Sequence, residues 1–364
     1  MKTQPVQLGE VCDFVYGEAL KEENRRSGTV PVYGSNGVVG LHDRAVTRGA
    51  TIVIGRKGSI GEVNWSNGPC FPIDTTYYVD ETKKPCDLRW LYYTLLKLDL
   101  TRLNKSAAVP GLNREDAYEQ RIPFPDVPEQ ERIAARLDQA DRLRRTRRYA
   151  LELTDTFLPA TFLKIFGDPT SNGHSWTTDI LDNCCERFVD YRGRTPEYST
   201  EGIPHVTATC IKEHEIQWTA ARRVTEGTYA AYMTRGLPVR GDVIFTTEAP
   251  LGETAVIKTD ERFSMAQRLL LIRPGPALLP DYLCHLLSHG SFRSQLLRFS
   301  TGSTVKGISS ENFRAIPIPL PPLPLQQRFA TEVERSEHLR LVEREALRQA
   351  EHLFASLLHR AFSG

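Results

Sequence analysis

The sequence predicts a mixed α/β (α+β) protein built twice, with two globular domains separated by two long antiparallel coiled-coil helices in a pseudo-two-fold internal repeat. Three observations predict this. One motif returns after a long interval, a glycine-free helical stretch follows each copy, and short β-rich runs joined by glycine turns precede each copy. At 364 residues the chain also exceeds the ~250–300 residues that one hydrophobic core organises.

The first globule covers residues 1–127. Its β-rich runs are Val30–Val39, Thr51–Ile54, Ile60–Trp65 and Thr75–Val79, and Leu88–Leu98 carries apolar residues at helical spacing, so one helix should pack on the sheet. The spacer that follows, 128–167, opens with Pro128-Glu129-Gln130-Glu131-Arg132-Ile133-Ala134. That motif returns as Pro324-Leu325-Gln326-Gln327-Arg328-Phe329-Ala330, displaced by 196 positions. The same displacement relates Val109-Pro110-Gly111-Leu112 to Val305-Lys306-Gly307-Ile308. With small gaps, Ile122-Pro123-Phe124-Pro125 matches Ile316-Pro317-Ile318-Pro319, and Arg48-Gly49 with Gly61-Glu62 matches Arg240-Gly241 with Gly252-Glu253. A second globule, 168–323, repeats the strand and helix pattern over Asp242–Thr247, Thr254–Ile257, Arg268–Ile272 and Leu279–Ser288; a second spacer, 324–364, closes the sequence.

Both spacers read as helices, over Glu129–Phe166 and Leu325–Phe362. In the first, Ile133, Leu137, Ala140, Arg144, Arg147, Leu151, Thr154, Leu158, Thr161 and Ile165 alternate steps of four and three, a coiled-coil rhythm. Their counterparts 196 positions on keep the same apolar ends and polar middle, from Phe329, Val333 and Ser336 to Phe354, Leu357 and Ala361. Pro159 should bend the first helix, because it removes a backbone donor. At ~1.5 Å per residue each helix is on the order of 55 Å long, which suits a spacer. Arg142, Arg144, Arg145, Arg147 and Arg148 crowd seven positions there and form either a solvated helix face or a phosphate-facing strip.

Composition narrows the function. With 40% hydrophobic and 25% charged residues the chain is globular, and a net charge of +1 argues against coating nucleic acid by bulk charge. The sequence shows no membrane-spanning run and no leader pattern in Met1–Glu10, so a cytoplasmic protein without a membrane partner is expected. Seven scattered cysteines suggest free thiols; Cys210 with His214 and Cys284 with His285 are metal-ligand fragments that each lack a second pair, so no metal site is expected. Gly55-Arg56-Lys57-Gly58-Ser59 lacks the order of a nucleotide-binding loop. Pro321-Pro322 precedes Leu323 rather than completing a methyltransferase motif, and no catalytic residues are expected.

The loops carry the side chains suited to DNA. Arg and Asn can pair bidentately with base edges, Ser and Thr are short donors, and glycines let main-chain amides approach phosphate. In the first globule the candidate DNA-binding residues are Tyr33, Ser35, Asn36, Arg56, Lys57, Ser59, Asn104 and Lys105. In the second they are Tyr191, Arg192, Arg194, Thr207, Thr209, Lys212, Thr246, Thr247, Arg268, Ser303 and Lys306. Any one of these loops could equally be a surface turn; recurrence in both halves favours contacts. A protein-interaction scaffold with duplicated domains and no DNA contact is the alternative, separable by the salt dependence of DNA affinity.

Taken together, Gly55-Arg56-Lys57-Gly58-Ser59-Ile60-Gly61, Gly193-Arg194-Thr195-Pro196 with Gly202-Ile203-Pro204, Gly241-Asp242-Val243-Ile244 and the two Ile-Pro-x-Pro approaches resemble the specificity (S) subunits of type I restriction-modification systems. Gly49-Ala50 departs from the Gly-Asp found at Gly241-Asp242. The resemblance implies a non-catalytic subunit with two target-recognition domains, each reading one half of a split double-stranded DNA target. It further implies two adenine methyltransferase (M) subunits docked on the frame, with endonuclease/translocase (R) subunits able to join. S-adenosylmethionine, ATP and Mg would belong to those partners, and this chain would hold no cofactor.

Overall fold

In the computed structural model, residues 4–103, 111–191, 195–300 and 306–362 are described. The chain forms two units, Met1–Tyr149 with Arg344–Gly364, and Ala150–Glu343. Their borders fall inside the two long helices rather than at the helix ends.

In the first unit, β1 (Pro5–Gln7) is followed by β2 (Val15–Tyr16), β3 (Val30–Gly34), β4 (Gly37–His42), β5 (Thr51–Gly55), β6 (Val63–Ser66), β7 (Phe71–Pro72) and β8 (Thr76–Val79). After these come α1 (Leu88–Leu98), α2 (Arg114–Tyr118), β9 (Arg121–Pro123) and α3 (Val127–Phe166). The run read as Val30–Val39 is a hairpin turning at Ser35-Asn36, and the one read as Ile60–Trp65 pairs only from Val63. Four strands form an antiparallel sheet in the order β2-β8-β5-β6, and three form a second in the order β4-β3-β7 with β3 and β7 parallel. Asp87 caps α1 by accepting from Trp90 N at 2.6 Å. Its apolar face then buries Trp90, Leu91, Tyr93 and Leu95 against Phe14, Ile52 and Ile54. The Ile-Pro approach pairs with the first strand, Val6 opposite Ile122.

The second unit repeats this plan and adds to it. Its elements are β10 (Thr177–Ile180), α4 (Leu181–Cys184), β11 (Cys185–Asp190), β12 (Ile203–Val206), β13 (Ile211–Lys212), β14 (Glu215–Ile216), β15 (Arg222–Val224), α5 (Glu226–Tyr232), β16 (Val243–Thr246), β17 (Thr254–Val256), β18 (Ser264–Met265) and β19 (Leu269–Pro274). Then follow α6 (Pro280–Ser288), α7 (Gly290–Arg298), α8 (Ser310–Arg314), β20 (Pro317–Leu320) and α9 (Leu323–Phe362). The order β11-β19-β16-β17 matches that of the first four-stranded sheet, and β15-β12-β18, with β12 and β18 parallel, matches the three-stranded one. Asp179 lies opposite Ile318 as Val6 lies opposite Ile122. The β13–β14 hairpin, α5 and α7 have no named counterpart among the described residues of the first unit.

Each long helix begins two residues before its sequence reading, because Pro128 and Pro324 sit in the first turn, where no amide donor is needed. The helix continues unbroken through Pro159. Within the first unit, Arg144 lies 4.0 Å over the Phe354 ring and Arg148 pairs with Glu351 at 2.9 Å. Within the second, Asp155 pairs with Arg340 at 2.9 Å and Phe162 meets Phe329 edge-on at 5.4 Å. Rising numbers on α3 face falling numbers on α9, so the two helices run antiparallel. The seam read from the sequence is buried at Leu137, Ala140, Thr154 and Leu158, and at Phe329, Val333, Ser336, Ala350 and Phe354. Towards the ends of α3 burial moves by one position, to Ala134, Phe162 and Phe166, where each helix also packs into a globule core.

Candidate nucleic-acid interface

Strand β5 is buried along its whole length and ends at Gly55, where the chain must turn out of the sheet. Gly55 N donates to Glu62 O at 2.8 Å and Gly61 N donates back to Gly55 O at 2.8 Å, closing the loop Arg56–Ile60. Arg56 N then donates to Thr75 O at 2.9 Å, and Leu112 N to Arg56 O at 2.9 Å. A Cβ at Gly55 would lie 1.9 Å from Ser59 O, so this loop closes only over glycine. Ser35 Oγ stands 2.5 Å from Lys57 O and 2.8 Å from Thr75 O, clamping the β3–β4 turn onto the loop, with Asn36 exposed at its tip.

The Arg56 guanidinium donates to Asp74 O at 2.7 Å and lies 5.2 Å from the half-exposed Tyr16 ring; Arg114 approaches the same ring at 5.5 Å. Lys57 is exposed and has no ion-pair partner among the described residues; Ser59 is half-buried. The first unit therefore offers two cations flanking an aromatic face, with a free lysine beside them, a set suited to phosphate and base stacking.

The second unit builds the same frame with other side chains. Thr246 N donates to Glu253 O at 2.9 Å, Gly252 N to Thr246 O at 2.9 Å, Thr247 N to Arg268 O at 3.0 Å and Ile308 N to Thr247 O at 3.1 Å. Thr246 thus stands where Gly55 stands in the first unit, and its hydroxyl accepts from Glu253 N at 2.8 Å. Arg268, half-exposed, pairs with Glu248 at 2.7 Å, and Glu248 bridges Gly307 beside the exposed Lys306. Thr207, Thr209 and Arg268 line one cleft of about 170 Å³ together with Tyr198, His205 and Gln267. Arg222 lies 4.4 Å over Tyr198. His205 is buried and its Nδ1 is 2.8 Å from Ser264 Oγ; burial, then the nearby Arg222 charge, pulls its pKa down to about 4, so the cleft has a neutral back wall.

The structure brings Ser35, Arg56, Lys57 and Ser59 together, and likewise Thr247, Arg268 and Lys306, with Thr207 and Thr209 across the cleft. Lys212 is exposed on the β13–β14 hairpin and does not line that cleft. Three of the expected residues are core residues rather than loop contacts. Tyr33 donates its hydroxyl to Trp65 O at 3.0 Å from a buried strand, Tyr191 stacks on Tyr232 at 5.8 Å, and Thr246 is fully buried. Tyr33 and Thr246 lie in β3 and β16, within runs that also read as strand, and Tyr191 directly follows β11. Asn104, Lys105, Arg192, Arg194 and Ser303 lie outside the described residues. Tyr16, Arg114, Tyr198, Arg222 and Gln267 escaped the sequence reading because folding alone joins them to the loops.

Two further readings change. Arg144 and Arg145 bind the buried Asp141 at 2.6 and 2.8 Å, and Arg148 binds Glu351, so these arginines serve the helix seam. The two metal-ligand fragments meet in part, with His214 Nδ1 3.6 Å from Cys284 Sγ and its ring 4.2 Å from that of His285. Among the described residues no three His, Cys, Asp or Glu side chains are arranged to hold a metal, and no helix is long and apolar enough to cross a membrane.

The sequence model of the type I restriction modification DNA specificity domain matches residues 2–153 and 195–341. A putative type I restriction enzyme specificity subunit of Haemophilus influenzae is 20% identical over 91% of this chain and 87% of its own length. The EcoBI specificity subunit of Escherichia coli is 19% identical over 99% of this chain and 85% of its own. The match to the EcoprrI specificity subunit of Escherichia coli, at 26% identity, spans 37% of this chain and 35% of that protein. The crystal structure of the type I restriction-modification S subunit from M. genitalium shares the fold, with a TM-score of 0.67 and 16% identity over 99% of this chain and 96% of that one. A duplicated sheet plan, a duplicated helix seam and a family match over both halves lead to one conclusion: this chain belongs to the type I restriction-modification DNA specificity family, as a specificity subunit.

Proposed function

We propose that each unit reads one half of a split double-stranded DNA target through its loops, while α3 and α9 set the unread gap and carry two methyltransferase subunits. Endonuclease/translocase subunits join the same frame for cleavage. This chain supplies recognition; S-adenosylmethionine, ATP and Mg act in the partners. One observation carries the reading: an identical set of four main-chain hydrogen bonds presents Arg56, Lys57 and Ser59 in one unit, but Thr247, Glu248 and Arg268 in the other. A repeated scaffold with unlike side chains suits a target with unlike halves. Its two principal relatives bear the name of type I restriction enzyme specificity subunits, which supports the same reading. Methylome sequencing of cells with and without the gene tests it. A methylated motif of two half-sites at fixed separation should vanish on deletion, and an unchanged methylome would overturn the proposal.

A further inference from the structure

The glutamine of the repeated Pro-x-Gln-x-Arg motif is fully buried in both units. Gln130 Oε1 accepts from Asp87 N at 2.8 Å, and its Nε2 donates to Pro125 O at 2.8 Å. Gln326 Oε1 accepts from Leu279 N at 2.8 Å, and its Nε2 donates to Pro321 O at 2.8 Å and Ala277 O at 2.9 Å. Asp87 and Leu279 are the N-caps of α1 and α6, the helices packed on each four-stranded sheet. One amide therefore joins the long helix that bears it, the proline approach, and the helix beneath the reading sheet.

Apolar packing between globule and long helix is non-directional and tolerates rocking, whereas hydrogen bonds to main-chain atoms fix an angle. Among side chains of this length only an uncharged amide accepts and donates strongly at once; a carboxylate cannot donate, and a thioether accepts only weakly and donates nothing. We propose that Gln130 and Gln326 are positioning residues that set the angle at which each reading globule leaves its long helix, and so the gap between half-sites that the molecule accepts. This rests on the proposed function. Lengthening the gap by one base pair moves a half-site by about 3.4 Å along the duplex, a step that a rigid mount rejects and a loose one follows. Both units have further directional ties to the long helix, from Arg89 and the Tyr93 hydroxyl to Asp138 at 2.5 and 2.6 Å in the first, and from Arg340 to Glu213 at 2.6 Å with the more exposed pair of Lys258 and Glu337 in the second. Gln326, which reaches both Leu279 N and Ala277 O of its globule where Gln130 reaches only Asp87 N, is the more direct of the two to test.

The test uses the complex of the full chain with its methyltransferase partner and duplexes bearing the target from methylome sequencing, with the natural gap or one base pair more or less. Gln326→Met, which removes all three bonds, two of them to the globule at Leu279 N and Ala277 O, should cut the preference for the natural gap about tenfold, with both half-sites unchanged. Gln326→Glu, which keeps the bond from Leu279 N and loses the donors, should fall between. Rates are compared as ratios between gaps, so a variant that merely folds less well loses all rates in proportion and keeps its preference; that result would overturn the positioning role. Hydrogen exchange gives a readout free of DNA: the Leu279 amide should lose protection in Gln326→Met before the sheet does, and unchanged protection there would also count against the proposal. Failure of the wild-type complex to methylate any split target would instead overturn the proposed function.

Discussion

At the scale of single residues, the proposed recognition chemistry rests on side chains that the frame leaves uncommitted. Lys57 is exposed beside a loop whose other cation, Arg56, is held by Asp74 O and Tyr16. Lys57→Ala should weaken duplex binding and lower the slope of log affinity against log salt by about 1, leaving the half-site read by the second unit unchanged. A titration across salt concentrations checks it; an unaltered slope would remove Lys57 from the phosphate contacts. Buried histidines give a second expectation. Burial lowers the His214 pKa to about 4, helped by the Arg340 and Arg293 charges, and lowers that of His285 well below its usual value. Both rings are neutral in the fold and protonated in the unfolded chain below about pH 6.5. The unfolded state thus binds more protons between about pH 6.5 and 4, and stability falls as the pH falls through that window. Thermal melts from pH 7 to 4.5 should show this loss, and His214→Asn should flatten it, since Asn tolerates the left-handed backbone found there (φ 64°).

Elements were legible wherever period and packing agree. Leu88–Leu98 was readable to the residue because its apolar spacing and its Asp87 cap point the same way. The long helices were readable because glycine is absent and their seam repeats. By contrast, β13, β14 and α5 were not read: the strands have two residues each and the helix seven, too few to show a period. The candidate site was legible only as loops. Gly55-Arg56-Lys57-Gly58-Ser59 stands out by composition, but its equivalence to Thr246-Thr247-Glu248 shares no side chains and rests on the nearby match of Gly61-Glu62 to Gly252-Glu253 and on the main-chain bonds. Tyr33 and Tyr191 show the converse: a polar aromatic near glycines reads as a surface contact, yet Tyr33 is buried within β3, and Tyr191, just past β11, is buried against Tyr232. The arginine run was ambiguous because charge alone does not show that Asp141 on the same helix, and Glu351 and Phe354 on the facing one, hold Arg144, Arg145 and Arg148.

At the scale of the whole molecule, the proposed ruler has a length that can be changed. Inserting seven residues into α3 beside Arg144 and seven into α9 beside Phe354, positions that face each other, preserves the heptad seam and adds about 10 Å of helix. The methylated motif should keep both half-sites and widen its gap by about three base pairs, at ~3.4 Å each; a motif with its former separation would show that the helices do not set it. The frame around the loops has an evolutionary consequence too. The four bonds the two units share run between main-chain atoms, so substitutions at Lys57 or Thr247 alter what is displayed without removing those bonds. If each unit reads its own half of the target, as proposed, each head can acquire a new vocabulary by drift, or by wholesale exchange for a foreign head at the recurring glutamine junction, while its twin goes on pronouncing the old half-word.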